Sequence, residues 1–198
     1  KGASLDQSIR VIVLAATGNV FSSGHDLKEI TAARESEDNG EVYFKSLFDY
    51  CSSLMQLIVN APQPVIAEVQ GVAAAAGCQL VATCDIAVAS EEASFGVNGV
   101  NIGLFCSTPM VAVSRNLARK HVMEMLVTGD MVSAEKAAET GLINRAVGAD
   151  KLTAETESLA ATIVSKSFEP FIISTIIVSV LSNGNESCLP NDFAKPIK

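Results

Sequence analysis

The chemistry this chain could perform is concentrated in a stretch almost without functional side chains: Gly71-Val72-Ala73-Ala74-Ala75-Ala76-Gly77-Cys78-Gln79-Leu80-Val81-Ala82. It follows Val65-Ile66-Ala67-Glu68-Val69-Gln70, a β-branched apolar run that reads as a buried strand. The tract after Gly71 reads as a tight turn feeding a helix, and its small side chains let another group approach the backbone closely. A helix starting near Ala76 leaves its first amides without intrahelical partners, at the positive end of the macrodipole. Amides so placed can receive negative charge developing on an oxygen, the logic of an oxyanion hole. The same residues also describe an Ala/Gly-rich core helix packed close to a sheet.

Other chemistries find less support. Only two histidines occur, His25 and His121, and no cluster of metal-ligating residues or G-x-x-x-x-G-K-[ST] loop accompanies them. The five cysteines, Cys51, Cys78, Cys84, Cys106 and Cys188, form no C-x-x-C pair or framework, so they read as reduced thiols of a cytosolic or organellar protein. A net charge of −8 with no basic cluster argues against nucleic acid and against an anionic membrane surface. With 48% hydrophobic and 18% charged residues over 198 positions, the chain is globular and can bury a sizeable core. The longest apolar runs, 72–82 and 171–181, are too short to span a bilayer. There is no initiator Met and no targeting peptide, and Lys1 opens just before a strand, as in a fragment of a longer precursor.

The elements that must position the tract alternate. Ile9–Ala15 reads as a central parallel strand. After the break at Thr17-Gly18-Asn19, Ser23 and Gly24 suit a turn, and Asp26 and Glu29 the first turns of a helix. Residues 31–40 are polar and read as a mobile surface loop. Phe44, Leu47, Phe48, Cys51, Leu54, Met55 and Ile58 recur at helical spacing as one buried stripe, ended by Pro62 and Pro64. Cys84–Ser90 is a short buried strand, Ala93–Gly96 a brief extended piece, and 97–109 an irregular Gly/Asn-rich segment of the kind that carries function. Helices resume at Pro109. Ser133 suits a helix start and Gly141 a stop, Ile143–Val147 a short strand, and Asp150 the cap of a helix to about Lys166. Beyond Pro170 an apolar segment reaches Leu181, and periodicity then ends. Strands alternating with helices predict an α/β fold with a parallel sheet.

Four stretches, in order, resemble the crotonase (enoyl-CoA hydratase/isomerase) superfamily. Phe21-Ser22-Ser23-Gly24-His25-Asp26-Leu27 is similar to its F-x-x-G-x-D-L signature, and Pro64–Leu80 to its strand, turn and helix carrying a second oxyanion donor. Cys84-Asp85-Ile86 and Ser94-Phe95-Gly96 sit at the family spacing. Thr128-Gly129-Asp130, Ser133-Ala134 and Gly141-Leu142 resemble its T-G-D…S-A…A-x-x-x-G-L pattern. The resemblance covers roughly 10–166. It implies a ClpP/crotonase-like superhelix of β-β-α turns, truncated at its N-terminus and altered at its C-terminus. The chain then divides into one domain over 1–182, with its core at 10–166, and an irregular tail over 183–198.

The resemblance further implies a coenzyme A thioester as ligand, with no other cofactor and no metal. The thioester carbonyl would lie between the amides of His25 and Ala76. Ser23, Asp26, Leu27, Ala74, Asn98, Gly99 and Leu104 would line the pocket. It implies assembly as a homotrimer or hexamer and a mitochondrial location. Hydratases of the family use two glutamates. Here the first falls on Gln79, which cannot exchange a proton at neutral pH, and the second on Gly99, which has no side chain. A third position, an Asp in some isomerases and dehalogenases, falls near Ser107, and neither Ser107 nor Cys106 has an evident base. Two readings follow: an acyl-CoA-binding protein deficient in hydration, with a binding or regulatory role in fatty acid metabolism, or an enzyme of different chemistry, such as an isomerase or thioesterase. A ligand-free scaffold is the third.

Overall fold

Ile9–Ala16 is apolar at nearly every position because both of its faces are covered. Val11 and Val13 pack with Ile66 against Ala160 and Val164, while Ile9 and Ile12 join Val65 and Ala67 in the larger cluster on the other face. Each such fully buried aliphatic side chain contributes roughly 1.5–3 kcal/mol relative to exposure. The computed structural model describes residues 2–6, 8–166 and the backbone of 174–180.

In chain order the elements are α1 (Gly2–Leu5), β1 (Ile9–Ala16), β2 (Val20–Ser22), α2 (Leu27–Ala33), α3 (Glu41–Val59), β3 (Val65–Val69), β4 (Val72–Ala74), α4 (Ala76–Thr83), β5 (Ile86–Ser90), β6 (Ser94–Gly96), α5 (Ser107–Asn116), α6 (Arg119–Thr128), β7 (Val132–Ser133), α7 (Ala134–Thr140), β8 (Arg145–Val147), α8 (Leu152–Ser165) and β9 (Ser174–Val180). The β-β-α unit is visible three times. The first strand of each unit enters a parallel sheet of order β8-β5-β3-β1-β9, and the second enters a sheet of order β2-β4-β6-β7. Among the described strands only the β6–β7 pair is antiparallel. The predicted strand residues Val11, Val13, Val65, Ile66 and Val88 are buried; Ile86 is half-buried beside α8.

Side chains lock the units in register. The Asp85 carboxylate accepts from the Val65 amide at 2.8 Å while its own amide donates to the Val65 carbonyl at 3.0 Å. Asn144 does the same for Ala87, with both bonds at 2.9 Å. These contacts fix where β3 and β5 begin, and so where β4 and β6 end beside α4.

The structure corrects four expectations. Thr31–Ala33 belong to α2, and 34–40 are a pinned turn: the Asp38 carboxylate accepts from Gly40 and Val42, and Gly40 has φ 83°. The α3 stripe is helical but only Met55 is buried; Phe48 and Leu54 remain 50% and 48% exposed, because α3 meets α4 through part of its face only. Asp150 lies inside a 3₁₀ turn, 149–151, and α8 starts after Lys151 without a side-chain cap. The segment 97–109 contains a 3₁₀ turn, Asn98–Ile102, and α5 begins at Ser107, two residues before Pro109. Ser133 and Gly141 do bound α7: the Ser133 hydroxyl accepts from the Lys136 amide, and Gly141 has φ 91°. The tail 183–198 lies outside the described residues.

Candidate active site

Backbone builds this site, and close approaches aim it. Gly77, in the first turn of α4, is pressed against β2 so tightly that a Cβ there would lie 2.0 Å from the Ser22 carbonyl oxygen. Gly24, at φ +89°, is pressed against the start of the same helix: a Cβ on it would lie 3.0 Å from the Ala76 nitrogen and 3.2 Å from the Ala75 Cβ. Gly77 leaves no room for a side chain, and Gly24 is tightly packed and in the left-handed conformation that favours glycine. The chain thus brings the Gly24–His25 peptide alongside Ala76. Among the described residues neither the His25 nor the Ala76 amide meets a hydrogen-bond acceptor, whereas the flanking amides do: Ala75 donates to Gly96 at 2.8 Å and Gln79 to Ala75 at 3.0 Å.

The remaining site residues are placed as follows. Ser23, Asp26 and Leu27 are exposed on the same turn, and Asp26 uses its carboxylate to cap α2, accepting from the Lys28 amide at 2.7 Å. Ala74 is buried at the end of β4. Gln79 is half-buried one turn into α4. Asn98 opens the 3₁₀ turn, and Gly99 is buried within it. Leu104 is 61% exposed, its amide bonded to the Gly99 carbonyl at 2.9 Å. Ser107 is the first residue of α5 and is exposed.

Two contacts at the site are not visible in the sequence. Cys106 is buried and its sulfur accepts from the Gly99 amide at 3.3 Å. A Cβ on Gly99 would lie 2.7 Å from that sulfur and 2.3 Å from the Leu104 carbonyl oxygen. Nothing periodic in 97–109 announces a loop folded back on itself. Phe48 packs edge-on to the His25 ring, centroids 5.9 Å apart, and burial lowers the imidazole pKa below its ordinary 6.5. Helical spacing shows Phe48 as a member of the stripe but not what it touches.

Burial pushes the Cys78 thiol up to about 12, which leaves it un-ionised and inert as a nucleophile. No group of three or more His, Cys, Asp or Glu side chains converges anywhere among the described residues. A cavity of about 270 Å³, lined by His121, Glu124, Asp130 and Lys136, and one of about 400 Å³, lined by Arg10, Gln63 and Lys166, lie away from the amide pair. The two acceptor-free amides, rather than enclosed volume, define the candidate site.

An enoyl-CoA hydratase/isomerase family model matches residues 2–179. The chain belongs to that family and has its crotonase fold. It is 52% identical over 161 residues to the mitochondrial enoyl-CoA hydratase domain-containing protein 3 of Mus musculus, covering 81% of this chain and 52% of that protein. The Homo sapiens protein of the same name is 52% identical over 159 residues, covering 80% and 51%. Among solved structures, an enoyl-CoA hydratase of Mycobacterium smegmatis superimposes with a TM-score of 0.77 at 51% identity, covering 83% of this chain and 62% of the other. Human enoyl-CoA hydratase domain-containing protein 3 superimposes with a TM-score of 0.75 at 47% identity, covering 83% and 66%. The chain spans about half the length of the curated relatives it matches.

Proposed function

We propose that this chain holds an acyl-CoA thioester by its carbonyl between the His25 and Ala76 amides and is deficient in enoyl-CoA hydration, acting in fatty acid metabolism by binding or regulation. Family membership and the two acceptor-free amides beside one another support the binding half. One backbone donor of this kind is typically worth about 10²–10³ in rate when a reaction uses it. The observation that carries the deficiency is Gly99. The loop closes on this residue through its amide, its carbonyl and the space a side chain would need. At the other glutamate position Gln79 offers hydrogen bonds but no transferable proton at neutral pH. Polarisation of a thioester is supported; the proton transfers that hydration needs have no carrier at either position.

A mitochondrial location is proposed from the printed names of the relatives. The exposed apolar residues of α3 support assembly with further copies, as the family resemblance implies. No described helix is long and apolar enough to cross a membrane.

The test sets binding beside turnover on the same protein. Calorimetric titration with butyryl-CoA and crotonyl-CoA should show binding, while loss of the conjugated enoyl absorbance should proceed at the buffer rate. Fast hydration overturns the deficiency. Absence of binding for both thioesters overturns the acyl-CoA reading.

A further inference from the structure

Ala75 holds a backbone conformation that glycine adopts freely and alanine does not, with φ 50° and ψ −118°. Asn39 is the other non-glycine residue at positive φ among those described, and asparagine tolerates that region. Ala75 is held in place on three sides. Its amide donates to the Gly96 carbonyl at 2.8 Å, its carbonyl accepts from Gln79 at 3.0 Å, and its methyl faces Gly24, where an added Cβ would come within 3.2 Å. An outlier fixed by its surroundings next to a candidate site points to function rather than to tolerance of strain.

We propose that Ala75 is a positioning residue for the Ala76 donor, an inference that rests on the amide-pair reading above. Its twist turns the chain out of β4, so the Ala76 N–H leaves the ladder and finds no sheet acceptor. Its methyl stands between α4 and Gly24 and sets the spacing of the two donors. A glycine here keeps the conformation accessible but removes the spacer and widens the range of conformations the residue samples. The fold is retained and the aim of the donor is loosened.

The experiment uses the full chain and a conjugated aryl-acryloyl-CoA thioester, whose absorption moves to longer wavelength when its carbonyl is polarised. The unmodified protein should produce that shift. Ala75→Gly should bind free CoA unchanged, bind the thioester about two- to tenfold more weakly, as for one softened hydrogen bond, and give a smaller shift. Ala75→Ser, which keeps a Cβ, should restore the shift. A residue with a purely structural role would change melting temperature and leave the shift alone. No shift with the unmodified protein overturns the amide-pair reading itself. A full shift with Ala75→Gly overturns the positioning role alone. An Ala75→Gly variant that fails to fold makes Ala75 a folding residue and also removes the positioning role.

Discussion

The two sides of the site are built by opposite means. On the α4 side, Gly77 meets Ser22 so closely that no methyl group fits between them, and Gly24 is in tight contact with Ala75 and Ala76. On the 97–107 side a short loop closes on itself through Gly99, Leu104 and Cys106, and its tip carries Ile102, Leu104 and Phe105 at 64%, 61% and 45% exposure. The first side, in the proposed reading, works through peptide groups, which survive a change of side chain. The second, on the same reading, is where a family hydratase would need a carboxylate, and here it has an amide, a thiol and a glycine. Function held in backbone and function held in side chains can therefore be lost separately, and in the proposed reading this chain has kept one and lost the other.

The largest expected difference between the sides is in chemistry. Each general acid–base contribution is typically worth about 10²–10⁴ in rate, and the two glutamates of a hydratase act as a unit. Crotonyl-CoA hydration should be at least about 10³-fold slower than in a relative with both glutamates, measured with matched chain ends. Gln79→Glu alone should recover little. Adding Gly99→Glu should not rescue it either, because the new side chain meets the Leu104 carbonyl and the Cys106 sulfur. Recovery to the rate of a two-glutamate relative would show that the loop opens easily and that the contrast drawn here is too sharp.

The next test concerns packing. Gly77→Ala puts a methyl 2.0 Å from a strand carbonyl that the sheet holds in place. It should destabilise by about 3 kcal/mol, the upper end of the overpacking range, and abolish thioester binding with it. Gly99→Ala meets the Leu104 carbonyl at 2.3 Å and the Cys106 sulfur at 2.7 Å, but Leu104 is an exposed loop residue and not part of a sheet. It should cost about 1 kcal/mol. Denaturant midpoints for the two variants, at equal slope, decide the matter. Equal costs would mean that the loop is as rigid as the helix start.

How far these features are legible in the sequence follows the same division. β1 and β3 are readable because two covered faces demand unbroken apolar runs, and β6 as a brief extended piece, whereas β4 lies in a tract that reads as a turn feeding a helix and β2, three residues long, is too short to show a period. The start of α4 at Ala76 is readable from the change of residue size after Gly71. Gly24 and Gly77 show as glycines, but the Ser22 and Ala76 atoms they touch come from strands and helices distant in sequence. The loop closure onto Cys106 is local, yet it follows no period, so neither helix nor strand logic finds it. The exposure of Phe48 and Leu54 is not legible in the sequence, because helical spacing reports a shared face and not what covers it.

The smallest expected effect lies at His25, where both kinds of construction meet in one residue. Its amide is a proposed donor, and its ring is half-buried against Phe48. Loss of water around the ring disfavours the imidazolium and lowers its pKa from the ordinary 6.5. The unfolded chain therefore takes up this proton at higher pH than the folded chain does. In the window between the lowered value and 6.5 the unfolded state binds more protons, so stability falls as pH falls through it. Above 6.5 the ring is neutral in both states and contributes no slope; below the lowered value the loss is complete and constant. His25→Gln should flatten that part of the stability–pH curve while leaving thioester binding near its original strength, because the backbone donor remains. Phe48→Ala should flatten it partly by admitting water to the ring. Unfolding midpoints from about pH 7.5 down through the window, for the three proteins side by side, measure the slopes. An unchanged slope in His25→Gln would remove the desolvated imidazole from the account, and a large loss of thioester binding would place its side chain, not only its amide, at the ligand.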